Sequence, residues 1–181
     1  MSEITFITGN QKKADYLAKY LGFPVKHVKL DLDEIQSLDL KKIVEHKVRQ
    51  AYEKIQAPVI VEDNSLEFEG LGGLPGPFIR FFVERLTNQE MCALVNGKSR
   101  RAKIRVVYGY CDGVRTEFFE AELDGEVAIT PAGNNGWDWD SIIIPKGYEV
   151  TRAMLSDEEY KKVYMQARPL EPLKRFLETL S

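Results

Sequence analysis

Two adjacent carboxylates close a short apolar run in this chain. Val59-Ile60-Val61 is followed at once by Glu62-Asp63, then by Asn64-Ser65. Acids leaving a buried strand have two uses: they hold a hard cation such as Mg²⁺ together with substrate phosphates, or they form a solvated exit. Asn64 and Ser65 favour a turn directly after them. A second stretch with chemical potential is Thr8-Gly9-Asn10-Gln11-Lys12-Lys13. Here a tight turn leads into a helix whose first N–H groups carry partial positive charge, and Lys13 adds a full one, so the turn suits an anion. In the plainer reading, Asn10 simply caps the helix. The pattern is not G-x-x-x-x-G-K-[ST]. A third is the glycine loop Gly70-Leu71-Gly72-Gly73-Leu74-Pro75-Gly76, able to approach a ligand through its backbone or to serve as a connector. A fourth is the polar loop before Pro145, with Trp137, Asp138, Trp139 and Asp140. The two tryptophans share one side if extended, as core packing or as a stacking platform for a base.

The elements that must position these groups follow from hydrophobic spacing. Ile4 to Thr8 reads as a strand leading into a helix that carries Tyr16, Leu17, Tyr20 and Leu21 and ends at Gly22 and Pro24. A second strand covers Val25 to Leu30. After the acidic loop Asp31 to Gln36, Leu40 to Gln56 has helical spacing, with Ile43, Val44, Val48, Ala51, Tyr52 and Ile55 on one stripe and Lys47 beside it. Val59 to Val61 is the central strand. Phe78 to Leu86 and Asn88 to Val95 read as short helices, closed at Asn96-Gly97. Lys103 to Cys111 and Arg115 to Leu123 form a hairpin around Asp112-Gly113, with a third strand at Glu126 to Thr130. Ser156 caps a helix, and Pro169 and Pro172 start the last one, to Leu180.

The chain of 181 residues suits one domain, 1–181, or two lobes sharing one sheet. Its 25 basic and 28 acidic residues give a net charge of -3, which supplies no cationic surface for nucleic acid. The basic group at Lys98, Arg100, Arg101, Lys103 and Arg105 is expected to pair across the hairpin with Glu120, Glu122, Asp124 and Glu126. Cys92 and Cys111 have neither metal spacing nor a disulfide framework, so a reducing cytoplasm is expected, without membrane attachment. His27 and His46 show no metal-ligand spacing.

Taken together, Thr8-Gly9-Asn10 with Lys13, Val61-Glu62-Asp63-Asn64-Ser65-Leu66, Gly72-Gly73-Leu74-Pro75-Gly76, Gly109-Tyr110-Cys111-Asp112 and Trp139-Asp140 resemble, in order, the inosine triphosphate pyrophosphatase family. The resemblance runs almost the whole chain. It implies an α/β fold with a long twisted mixed sheet flanked by helices, two lobes with a central nucleotide cleft, and a homodimer. It also implies Mg²⁺-dependent hydrolysis of ITP, dITP or XTP to monophosphate and pyrophosphate. By position, Thr8, Gly9, Asn10, Lys13, Lys47, Asn64 and Ser65 match substrate-binding positions. Glu34, Glu62 and Asp63 match metal-binding acids, with Asp63, Glu62 and Lys13 as the catalytic group. Trp137 matches the aromatic that stacks on the purine, and Trp139-Asp140 match the family's Trp-Asp pair. The chain departs from the family twice. Asp138 stands where a glycine is usual beside the base. The Ser-His-Arg base-recognition motif is replaced by Tyr164-Met165-Gln166, and the preceding lysine by Tyr160, which makes Gln166 the base-facing residue. A nucleotide-binding or sensing protein without turnover is therefore the alternative function.

Overall fold

The computed structural model describes residues 4–22, 24–137 and 139–180, with the Lys12 side chain outside that description. Among these residues, seven strands form one mixed sheet in the order β2-β1-β3-β5-β6-β7, with β4 paired to β3. The strands are β1 Ile4–Ile7, β2 Val25–Val28, β3 Val59–Phe68, β4 Pro75–Gly76, β5 Arg101–Cys111, β6 Thr116–Val127 and β7 Ile143–Pro145. The helices are α1 Gln11–Leu21, α2 Leu40–Ile55, α3 Ile79–Arg85, α4 Asn88–Ala93, α5 Asp157–Gln166 and α6 Leu170–Glu178. β1 runs parallel to β2 and β3, whereas β3–β4 and β6–β7 are antiparallel. No helix among the described residues is long and apolar enough to cross a membrane.

Two compact units make up the chain: Met1–Asp63, Val106–Glu120 and Pro169–Ser181 in the first, Asn64–Arg105 and Ala121–Arg168 in the second. In the first unit, α2 buries Leu40, Val44, Val48 and Ala51 against Ile7, Val59, Val61, Val107 and Cys111. Val44, Val48 and Ala51 come from the expected stripe, with Tyr52 and Ile55 partly buried beside them, and Leu40 extends it by a turn, while Ile43 is buried outside this cluster. Gly109 lets α2 approach, since a Cβ there would lie 2.7 Å from Val44 Cγ1. On the other side of the strands, Phe6 stacks with Tyr108, ring centres 6.2 Å apart, and Tyr110 meets Phe176 of α6 edge-on at 5.0 Å. In the second unit, Arg100 donates to the carbonyls of Val127, Ala128 and Cys92, tying the ends of β6 and α4 to the start of β5.

Two expectations from sequence are corrected. No turn follows Asp63: β3 is ten residues long and runs on to Phe68, because Leu66 and Glu67 pair with Gly76 and Pro75 of β4, and because Leu66 and Phe68 are buried. Sheet pairing and burial outweigh the local turn preference of Asn64-Ser65. Nor is there a separate strand over Glu126 to Thr130. β6 runs unbroken to Val127, and Gly125 permits this because a Cβ there would lie 2.5 Å from the Ile144 carbonyl oxygen of β7. The expected charge pairing across the hairpin holds for Lys103 and Arg105, which meet Glu122 at 2.6 and 3.0 Å, while Glu120 pairs with Lys41 and Asp124 with Lys146.

Candidate active site

The turn after β1 is built from short-range bonds. Thr8 Oγ1 accepts from Asn10 N at 3.1 Å, and Asn10 Oδ1 accepts from Lys13 N at 3.3 Å. The cap is therefore present, and it leaves the anion reading intact. With no acid in the first turn of α1, its positive end stays uncompensated from within the helix. Lys13 turns to β3 and pairs with Glu62 at 3.0 Å, and the Glu62 carboxylate, 2% exposed, also accepts from Tyr108 Oη at 2.7 Å.

Asp63 points the other way. Successive residues of a strand face opposite sides of the sheet, so Asp63 joins Val59 and Val61 on the α2 side and meets Lys47 at 3.0 Å. Lys47 Nζ also meets Glu34 at 2.9 Å, so one ammonium bridges two carboxylates. Burial would lower the Lys47 pKa, but the charges of Asp63 and Glu34 outweigh it and hold the ammonium above its ordinary range. The acids predicted as one metal set are thus divided: Glu34 and Asp63 share a cation, and Glu62 lies on the opposite face. Among the described residues, no group of three or more His, Cys, Asp or Glu side chains gathers around one point. The donor chemistry nevertheless suits a hard cation, because Glu34 and Asp63 supply only carboxylate oxygens and already hold a positive charge between them.

In the second unit the acid of the Trp139-Asp140 pair organises the polar loop. Asp140 is 1% exposed. Its Oδ2 accepts from Trp137 N at 2.7 Å and from Tyr160 Oη at 2.6 Å, and its Oδ1 lies 2.8 Å from Arg152 Nη1. Arg152 is buried too, with its guanidinium 5.5 Å from the centre of the Tyr160 ring. Burial first, and then the Asp140 charge, push the Tyr160 hydroxyl well above the ordinary tyrosine range. Gly136 is required here: a Cβ would stand 2.2 Å from Asp140 Oδ2. Trp137 itself is 36% exposed, a large ring at the surface on a loop fixed from beneath. Gln166 is the exposed last residue of α5. Ser65 is buried and bonded to Glu67 at 2.9 Å, which makes it a structural group of β3, and Asn64 is half-buried beside it. Asp138 lies outside the described residues.

The sequence profile of the Ham1 family matches residues 4–176. The chain belongs to the Ham1 family. This Ham1 chain is 38% identical over 177 residues to inosine triphosphate pyrophosphatase 2 of Trypanosoma cruzi, covering 95% of this chain and 90% of that protein. To a dITP/XTP pyrophosphatase of Methanopyrus kandleri it is 37% identical, covering 93% of each. Its fold matches the Ham1 proteins of Staphylococcus aureus and Coxiella burnetii with TM-scores of 0.84 and 0.86 over 99% of this chain and 100% of each of theirs, at 24% and 20% identity.

Three roles in the Ham1 chain are not legible in its sequence. Tyr108, which holds Glu62, lies one residue before the Gly109-Tyr110-Cys111-Asp112 motif and reads as ordinary strand. Arg152 and Tyr160 are separated from Asp140 by a strand and a loop, and no spacing links them. The basic partner of Asp140 is Arg152, on the turn before α5, and Tyr160, which stands in place of the family lysine, is its hydroxyl partner.

Proposed function

We propose that this Ham1 chain, read as one domain over 1–181, hydrolyses ITP, dITP and XTP to the monophosphate and pyrophosphate. The single observation that carries this reading is the Asp63–Lys47–Glu34 bridge on a chain 38% and 37% identical to proteins named for these activities. Hydrolysis adds water across the Pα–O–Pβ link. The water oxygen bonds to phosphorus, its proton passes to a base, and the electron pair of the broken bond leaves on pyrophosphate. Asp63 is the carboxylate placed to orient that water and take the proton. Lys13 and the N-terminal end of α1, with Thr8, Gly9 and Asn10, hold the polyphosphate charge, and Lys47 adds a second cation. Glu34 and Asp63 would hold Mg²⁺, which neutralises phosphate charge and the leaving group when bound. Glu62 keeps Lys13 in place, in company with Tyr108. Trp137 offers its exposed ring to the purine. A cytoplasmic homodimer that clears altered purine nucleotides is the setting we propose.

A binding or sensing protein of the same fold is the second reading, favoured by one observation: the Asp140 carboxylate is turned inward, its Oδ2 accepting from Trp137 N and Tyr160 Oη and its Oδ1 ion-paired with Arg152. Incubation with ITP, dITP, XTP, GTP and ATP, with and without Mg²⁺, separates the two when monophosphate, pyrophosphate and orthophosphate are measured individually. Equal monophosphate and pyrophosphate from the keto purines is expected. Saturable binding without either product would establish the second reading, and release of orthophosphate would overturn the proposed bond cleavage.

A further inference from the structure

His27 of β2 sits with a carbonyl oxygen against each of its ring nitrogens. Nε2 is 2.6 Å from the main-chain oxygen of Thr8, and Nδ1 is 2.7 Å from Oε1 of Gln11. Carbonyl oxygens only accept, and a neutral imidazole has one N–H to give, so only the imidazolium donates to both. The Gln11 amide has its orientation assigned by a third residue. Its Nε2 donates to Asp15 Oδ1 at 2.8 Å, one turn along α1, and turning the amide over would set its oxygen against a carboxylate. The groups around the ring come from three elements. From α1 come Gln11 and, behind it, the Asp15 carboxylate, while Lys13 is turned to Glu62 and the side chain of Lys12 lies outside the described residues. From β1 come the register partner Phe6 and, just beyond the strand, the Thr8 carbonyl. On β2 itself the adjacent Lys26 is exposed.

The carbonyl that His27 holds belongs to the Thr8–Gly9 peptide. In a trans peptide the C=O and N–H point in opposite directions, so tying the Thr8 oxygen to β2 aims the Gly9 N–H away from β2. The same residue anchors the turn from its side chain, since Thr8 Oγ1 accepts from Asn10 N. We propose that His27 is a positioning residue for the triphosphate-binding turn, fixing the Thr8–Gly9 peptide through Thr8 and the start of α1 through Gln11. The proposal rests on the reading above that this turn binds the triphosphate. Without the ring the turn loosens, and binding weakens while the chemical step is left in place.

The test is the ratio of KM for ITP in His27→Ala to KM in the unchanged protein. A value of roughly three to ten, the scale of one ordinary hydrogen bond, is expected, with kcat similar in both proteins. A ratio of one, or an equal loss in kcat, overturns the proposal. Nuclear magnetic resonance decides it independently of turnover: the Gly9 and Asn10 amide signals should shift in His27→Ala while those of α6 stay in place, and Gly9 and Asn10 amides that ignore the substitution overturn it. If no triphosphate is hydrolysed, the catalytic reading fails, and the amide shifts still decide the role of His27.

Discussion

Glu62 and Asp63 are neighbours in sequence and serve opposite faces of β3. Glu62 is enclosed by Lys13 and Tyr108, and Asp63 is bridged through Lys47 to Glu34. The two carboxylates therefore have different work. In the function proposed above, Asp63, side chain 23% exposed and beside a charge that a divalent cation could replace, takes the reactive role, and Glu62, side chain 2% exposed, braces the lysine that would face phosphate.

Asp63→Asn keeps the shape of the side chain and removes its charge. Turnover of ITP should fall by about 10²–10⁴-fold, the usual contribution of a positioned base, with the melting temperature nearly unchanged. A drop of only a few-fold, with the same dependence on Mg²⁺, would transfer the role of base to another group.

Lys13→Ala removes a phosphate-facing charge and leaves Glu62 with Tyr108 as its hydroxyl partner. KM for the triphosphate should rise by about 10-fold or more, the scale of a lost charge-assisted bond, with a smaller change in kcat. Steady-state kinetics check this, and unchanged KM and kcat would leave the turn with its capping role alone.

Arg152→Met is predicted to be a stability variant. It leaves the Asp140 carboxylate buried without its cation, a situation that costs about 3–5 kcal/mol. Tyr160→Phe removes one neutral donor from the same carboxylate and should cost about 1–3 kcal/mol. Urea unfolding measures both. Arg152→Met at or below the cost of Tyr160→Phe would show that the ion pair does not hold the Trp137 loop.

Base choice is where the sequence departs from the family pattern it resembles, and Gln166→Arg tests it. Position 6 of hypoxanthine or xanthine bears an oxygen that accepts, and position 6 of adenine an amino group that donates. An arginine only donates and so opposes adenine, whereas the Gln166 amide can present either end. The natural protein should reject ATP less strongly than a dedicated polar readout, about 10⁴-fold, and Gln166→Arg should raise the ITP-to-ATP ratio of kcat/KM. An unmoved ratio removes Gln166 from the base site.

The features legible in the sequence are those whose bonds are local. The turn from Thr8 into α1 closes through contacts two and three residues long. The Asp112-Gly113 turn forms because Asp112 Oδ1 accepts from Val114 N and Arg115 N, and α5 starts where Ser156 and Glu159 cap each other. The α2 stripe follows from one helix period repeated along one segment. Such patterns need no partner from elsewhere, so the order of residues determines them. Tertiary structure decided the rest. Asn64-Ser65 reads locally as a turn and is a strand, because β4, about ten residues onward, supplies the pairing. Which lysine meets which acid is settled across 49 residues for Lys13 and Glu62, and across 16 for Lys47 and Asp63. Arg152, Tyr160 and His27 gain their roles only when α5 and its preceding turn meet Asp140 and β2 lies beside β1. Long-range contacts choose among many sterically equal pairings, and burial and charge in the folded chain make that choice.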